Sequence, residues 1–147
     1  MSETETLDVM NRLLATLYRS MPMYLHQADP WYDREHQDAA TALANIVADQ
    51  QAMSRRIAEF ILDRGGQPEP GVYPLEFSDA NLHFVSLEYL LQDLVRHQAA
   101  DIERITRLVG ELNSDASART LAEEALGAAR AHLDSLEALT NPEADEA

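Results

Sequence analysis

The chain has 147 residues, 46% of them hydrophobic, which suits a single domain with a substantial buried core. It contains no cysteine, so disulfides, zinc–thiolate sites and thiol nucleophiles are excluded. The 26 acidic residues outnumber the 11 basic residues and give a net charge of -15. This charge disfavours nucleic acid and anionic membrane surfaces as partners.

The sequence also predicts the cellular compartment of the protein. No apolar run approaches the roughly 20 residues that cross a bilayer, so we expect no membrane span. The first residues, MSETETLDV, are polar and acidic and lack the basic and apolar regions of a signal peptide. We therefore expect a cytoplasmic protein.

The first predicted helix covers about residues 6–27, because apolar side chains recur there every three or four positions. Pro22 removes one backbone hydrogen bond, so we expect a bend near Tyr18. Residues 28–33 are typical of a tight connection. The apolar stripe of this helix consists of Leu7, Met10, Leu14, Leu17, Met21 and Tyr24.

The second predicted helix is about 30 residues long and ends at Gly65 and Gly66, since glycine accepts the left-handed cap conformation. Residues 67–77 contain three prolines, which exclude a helix and predict an extended strap. The stripe of the second helix consists of Ala39, Leu43, Ile46, Gln50, Met53, Ile57 and Phe60.

Two more helices follow the strap. Ser78 or Asp79 is expected to cap the third helix, and a short turn at residues 113–115 leads into the fourth, which covers about residues 115–140. Residues 141–147 are too polar to pack and are interpreted as an acidic tail. The predicted inward side chains are Leu87, Leu91, Leu94, Gln98, Ile102, Ile105, Val109 and Leu112, and then Leu121, Ala125, Ala128, His132, Leu136 and Leu139.

These elements predict an all-α, antiparallel four-helix bundle over residues 1–140, with one long crossover between helices two and three. A strap of about a dozen residues can run the length of the bundle, which allows helices two and three to point the same way. An up-down-up-down bundle with a long loop is the alternative. Three polar side chains, Gln50, Gln98 and His132, lie mid-helix on the apolar stripes, so they could meet at one level of the core and would need partners there.

The chain resembles the ferritin-like superfamily, in particular bacterioferritin-type and small bacterial ferritin-like proteins. The resemblance extends over nearly the whole chain and depends on four features: YLH at residues 24–26, RIAEFI at 56–61 running into the glycine pair, the crossover, and AHLDSLE at 131–137. It implies a di-iron centre built from two glutamates and two Glu-x-x-His pairs. Here the pairs fall on residues 50–53 and 129–132, where only His132 has the expected type. The two single glutamates fall at Thr16 or Leu17 and at Arg96, His97 or Gln98.

The ligand types argue against a ferroxidase. Glutamine supplies no charge to offset ferric ions, and methionine is too soft a ligand for them. A haem ligand would fall at Gln51, so Met53 is interpreted as a core filler. His132 is expected to bond Gln50 or Gln98 as an ordinary core histidine. A mononuclear metal site from Asp49, His97, Asp101 and His132 is the weaker alternative.

Two functions remain open at this point. The first is a non-catalytic bundle that has lost the di-iron centre and works as a structural or interaction module, with no catalytic residue and no cofactor. The resemblance implies a homodimer for it, and an unidentified protein partner is possible. The alternative is a protein that binds metal or handles iron through an altered site around His132, for which iron is the cofactor.

Overall fold

A computed structural model describes residues 2–28, 30, 32, 34–79 and 86–140. Its helices are α1 (Glu3–Tyr18), α2 (Met21–Ala28), α3 (Gln37–Asp63), α4 (Leu75–Asp79), α5 (Leu87–Gly110) and α6 (Ala116–Thr140), with a 3-10 turn at Arg34–His36. The four long helices α1, α3, α5 and α6 form an all-helical bundle over the described part of the chain. The predicted acidic tail, residues 141–147, lies outside the described residues.

The first predicted helix is interrupted where a bend was expected. The first helix ends at Tyr18, and Met21 begins α2, so Pro22 lies in the first turn of a new helix where its missing N–H is not needed. Ser20 occupies the break, and its hydroxyl accepts a bond from the backbone N–H of Met23 at 3.4 Å. The predicted bend near Tyr18 is therefore a full break between two helices.

The predicted glycine end of α3 is confirmed. Gly65 has a φ of 80° and its N–H bonds the Leu62 carbonyl, while the N–H of Gly66 bonds the Ile61 carbonyl at 2.9 Å. A Cβ on Gly66 would approach side-chain carbons of Ile61 and Leu7 to 2.9 Å, so this residue lets the chain pass close to α1.

The start of the third long helix was predicted wrongly. It begins at Leu87, and Ser86 caps it by accepting a bond from the backbone N–H of Tyr89 at 3.4 Å. Ser78 and Asp79, the predicted caps, belong to the short α4. The extended strap is also shorter than predicted, because α4 begins at Leu75. Phe77 anchors α4 by packing against Tyr24 and the ring of His97.

Contacts along the strap establish the crossover. Asn11 bonds the backbone of Gln67 and Glu69, and the guanidinium of Arg19 bonds the Gly71 carbonyl at 2.8 Å. The strap thus follows α1 in the direction of the chain. The side chains of His36 and Glu88 approach to 3.2 Å, which places the starts of α3 and α5 at the same end. Helices α3 and α5 are therefore parallel, as predicted for the one-crossover bundle.

The core consists of two apolar clusters separated by polar side chains. One cluster contains Leu13, Ile57, Ile105 and Ala125, and the other contains Leu25, Ile46, Leu94 and Leu136. Five buried polar residues lie between the clusters along their helices, and we call them the polar layer: Ser20, Gln50, Ser54, Gln98 and His132.

Candidate functional site

The polar layer contains the three core positions that the sequence singled out. Gln50 is 4% exposed, and its side-chain oxygen accepts a hydrogen bond from the hydroxyl of Ser20 at 2.6 Å. Ser20 thus connects the helix break to α3 by a short bond between two buried groups. The sequence reasoning missed this role of Ser20, although a serine two residues before a proline is a recognisable helix-start signal.

Gln98 reaches from α5 to α6. Its amide nitrogen donates to the backbone carbonyl of Ala129 at 3.0 Å, whereas its side-chain oxygen is buried and has no partner among the described protein atoms. Ser54 is also buried and its hydroxyl is likewise without a partner among those atoms. Ser54 was not singled out from the sequence, because serine is common on helix surfaces. Two of the three polar side-chain atoms of Gln98 and Ser54 therefore have no partner among the described protein atoms.

At one edge of the polar layer, His132 contacts Asp49, which is not a member of the layer. The Nε2 of His132 lies 2.9 Å from a carboxylate oxygen of Asp49, with the His132 side chain 10% exposed and that of Asp49 65% exposed. The prediction that His132 bonds Gln50 or Gln98 is therefore wrong. Consecutive helical residues differ by about 100° in direction, so Asp49 faces α6 while Gln50 faces Ser20. The Nδ1 of His132 is buried and has no partner among the described protein atoms.

Met53 lies next to the layer and is partly buried. It packs against the apolar cluster that contains Ile57 and Ile105. Its role as a flexible core filler agrees with this contact.

His97 and Asp101 occupy a different groove. They lie one turn apart on α5, on the face that is turned towards α1 and the strap. His97 packs edge-on against Phe77 with ring centroids 5.3 Å apart, and its Nδ1 is 3.9 Å from a Glu76 oxygen. Asp101 is 16% exposed and pairs with Arg104 at 3.1 Å. Burial raises the pKa of Asp101 to about 7, and Arg104 partly opposes this rise.

The four weaker metal-ligand candidates are therefore not brought together. Gln98 faces α6 from α5, whereas the neighbouring His97 and Asp101 face another side, so they are separated from the pair of Asp49 and His132. Within the described ranges, no three His, Asp or Glu side chains are grouped as metal ligands would be. In this arrangement Asp49, His97, Asp101 and His132 do not form one group of ligands among the described residues.

The residues at the expected di-iron positions do not fit two iron ions. The hydroxyl of Thr16 donates to the Arg12 carbonyl of its own helix at 2.9 Å. Gln50 and Gln98 are neutral and already hydrogen-bonded, and Asp49, the carboxylate that contacts the layer, is largely exposed. Ferric ions require several anionic oxygen ligands, which these side chains do not supply.

A cavity of about 740 Å³ lies between α1, the strap, α4 and α5. Its charged lining residues are Arg12, Arg19, Glu76, Asp101, Arg104, Arg107 and Glu111, and His97 also faces it. None of these arginines was selected from the sequence, because arginines at helical spacing are usually surface residues. Ser20 is the member of the polar layer that also lines this cavity.

None of the helices in the described part of the chain is long and apolar enough to span a membrane. No curated protein and no solved structure matches the chain significantly. One protein family does match, described as Ferritin, ferritin-like domain, and the match covers residues 7–143. Together with the one-crossover bundle, this match over nearly the whole sequence shows that the chain belongs to the ferritin-like domain family.

Proposed function

We propose that this chain is a ferritin-like bundle without a di-iron centre, and that it works as a structural or interaction module in the form of a homodimer. The polar layer is the observation that carries the proposal. Its glutamines and its histidine hold protein groups on neighbouring helices, and the bonds between Ser20 and Gln50 and between Gln98 and Ala129 connect four segments of the bundle. The layer thus has a packing role that needs no ion.

Charge supports this interpretation. A di-iron centre places several carboxylates around two cations, and the cations offset the mutual repulsion of the carboxylates only while they are bound. In the polar layer no member is an acid, and its contact with a carboxylate is the one between His132 and Asp49. A layer without acidic members is stable without metal, because it holds no cluster of buried carboxylates whose charges a cation must neutralise.

An exposed apolar surface supports the homodimer. Val72 is 86% exposed, Leu75 is 76% exposed and Tyr18 is 37% exposed. The guanidinium of Arg19 lies over the rings of both Tyr18 and Tyr73, so the end of α1 and the strap form one continuous surface. A second copy of the chain is the proposed occupant, since a surface on one copy that meets the same surface on another closes a twofold dimer.

Two measurements test this function together. Light scattering should give the mass of a dimer, and Val72→Glu should shift it to a monomer, because a buried unpaired charge opposes association. The matched control is Leu62→Glu, which places the same charge at an exposed apolar residue on α3 and should leave the dimer intact. The protein should not accelerate Fe(II) oxidation above the rate in buffer. A monomeric wild-type protein would refute the dimer, and saturable ferroxidase activity would refute the loss of the centre.

The contact between Asp49 and His132 favours one alternative, an altered metal site around His132. The unpartnered Nδ1 of His132 and the exposed carboxylate of Asp49 are two donors in one place. Such a site needs further ligands from water or a second chain. Isothermal titration with Mn²⁺ and Zn²⁺ would support it if binding were stoichiometric and lost in Asp49→Asn.

A further inference from the structure

The cavity between α1, the strap, α4 and α5 differs in charge from the rest of the chain. All eleven basic residues are arginines, and four of them, Arg12, Arg19, Arg104 and Arg107, line this one cavity. Three carboxyl groups face them, those of Glu76, Asp101 and Glu111. In a chain of net charge -15, this lining carries more cationic than anionic side chains.

The arginines of the cavity are only partly engaged. Arg107 forms no ion pair with any described residue. Arg12 reaches Asp8 at 3.7 Å and Glu111 at 3.4 Å, and its side chain stays 51% exposed. Arg104 pairs with Asp101 at 3.1 Å and is 53% exposed. Guanidinium groups with free N–H donors match the oxygens of carboxylates and phosphates, so this lining can receive an oxyanion.

Three of these arginines, Arg12, Arg104 and Arg107, define one end of the cavity. Arg104 and Arg107 lie one turn apart on α5, and Glu111, which pairs with Arg12, lies one turn beyond Arg107. The opposite end is near His97, about 15 Å away along α5 at 1.5 Å per residue. There the lining includes the buried ring of Phe77 together with Pro74 and Val72. The cavity therefore has a cationic end, and its other end combines apolar side chains with Arg19, Glu76 and His97.

We propose that this cavity binds a small organic anion, with its carboxylate or phosphate group on Arg12, Arg104 and Arg107 and its apolar part against Phe77 and Pro74. The volume of about 740 Å³ is in the range of sites that hold small molecules. Asp101, buried beside Arg104, can donate a hydrogen bond to the anion in its protonated form. The proposal does not depend on metal binding, because its contacts include no member of the polar layer. The cavity does share Val72 and Arg19 with the surface proposed for the homodimer.

Titration calorimetry at fixed ionic strength tests the proposal with three probes: phenyl phosphate, benzoate and inorganic phosphate. We expect saturable one-to-one binding of at least one aromatic anion, and binding of inorganic phosphate about tenfold weaker than that of phenyl phosphate, since it lacks the apolar contact. The stronger of the two aromatic probes identifies the preferred anionic group. An absence of saturable binding for both aromatic probes would overturn the proposal.

Two arginine variants locate the binding. Arg107→Gln should weaken binding about tenfold, because it removes a charge-assisted contact at the cationic end. The matched control is Arg130→Gln, which removes the same charge from an exposed position on α6 and should leave the affinity unchanged. Equal weakening in both variants would show only non-specific attraction between the arginines and the anion, and would overturn the site. Shifts of the Thr16 and Phe77 amide resonances with the bound probe provide a second readout, and unshifted resonances there would also contradict the site.

Discussion

His132 on α6 and Asp49 on α3 approach to 2.9 Å, so a histidine of the core is held by a carboxylate at the surface. This contact closes one edge of the polar layer. The other bonds of the layer lie deeper, between Ser20 and Gln50 and between Gln98 and the backbone of α6. The layer therefore connects α3 and α6 and fixes the level at which the helices pack.

Replacing the two buried serines of the layer, one at a time, should have different effects on the free energy of unfolding. Ser20→Ala should lower the free energy of unfolding by about 1–3 kcal/mol, because it leaves the buried oxygen of Gln50 unpaired. Ser54→Ala should leave it unchanged or raise it by up to about 1 kcal/mol, because that hydroxyl has no partner and alanine favours helix. Urea denaturation of the two variants measures both values. Equal destabilisation would contradict the hydrogen-bond assignments.

Gln98→Leu tests whether the hydrogen bond of Gln98 contributes to the free energy of unfolding. The substitution removes one bond, to a carbonyl inside α6, and also removes a buried oxygen without a protein partner. We expect the free energy of unfolding to change by no more than about 1 kcal/mol in either direction, because a buried amide replaced by an apolar group of similar size is close to neutral. A loss of more than about 3 kcal/mol in urea denaturation would mean that the Gln98 oxygen has a partner, such as a buried water.

Asp101 should make the stability depend on pH. Its pKa in the folded state is about 7, above the ordinary value of 3.8, so the folded state holds more protons than the unfolded state between these values. Stability should therefore fall as pH rises from about 4 to 7, by on the order of 4 kcal/mol in total. Asp101→Asn should abolish this fall and be more stable than the wild type at pH 8, but not at pH 4.

The matched control for Asp101 is on the same helix. Asp93 forms an ion pair with Arg96 at the same spacing of three residues, and its side chain is 38% exposed compared with 16% for Asp101. Asp93→Asn should therefore leave the pH profile of thermal unfolding close to that of the wild type. If both variants changed the profile equally, burial would not be the cause.

Asp115 connects three helices at one end of the bundle. It accepts two bonds from Arg64 at 2.6 and 3.2 Å and caps α6 by accepting from the N–H of Ala118, and these bonds lower its pKa. Arg64 also pairs with Glu3 of α1. Asp115→Ala should lower the free energy of unfolding by about 1–3 kcal/mol, since it removes the cap and the charged pair.

Asp115→Asn separates the two contributions, because asparagine can still cap the helix but carries no charge. Asp115→Asn should lower the free energy of unfolding by less than Asp115→Ala does. Because the folded pKa of Asp115 lies below the unfolded value, the charged contribution is present above about pH 4 and is lost as pH falls below it. An asparagine variant that costs as much as alanine in urea denaturation at pH 7 would show that capping contributes nothing.

The periodicity of the sequence predicted the long helices, and the proline-rich strap predicted the crossover, but not every boundary was predicted. Apolar spacing and the pair of Gly65 and Gly66 are local signals, so they were enough to predict the extent of α3. The start of α5 was missed because Ser78 has the chemistry of a helix cap, yet Phe77 is held by tertiary contacts with Tyr24 and His97 that local pattern does not contain.

Only part of the polar layer was predicted, again because its contacts are tertiary. The stripe positions of Gln50, Gln98 and His132 indicated burial, and all three are buried. Their partners depend on how each helix is rotated about its axis, and one residue along a helix changes direction by about 100°. Asp49 therefore reaches His132 while Gln50 meets Ser20, a choice that no spacing rule determines.

The metal content of the purified protein tests the central proposal most directly. The chain is expressed in medium supplemented with iron and manganese, purified without chelators, and measured by mass spectrometry beside His132→Ala. If the polar layer packs the bundle without an ion, both proteins should contain far less than one metal ion per chain. Near-stoichiometric iron or manganese in the wild-type protein that is lost in His132→Ala would contradict this account.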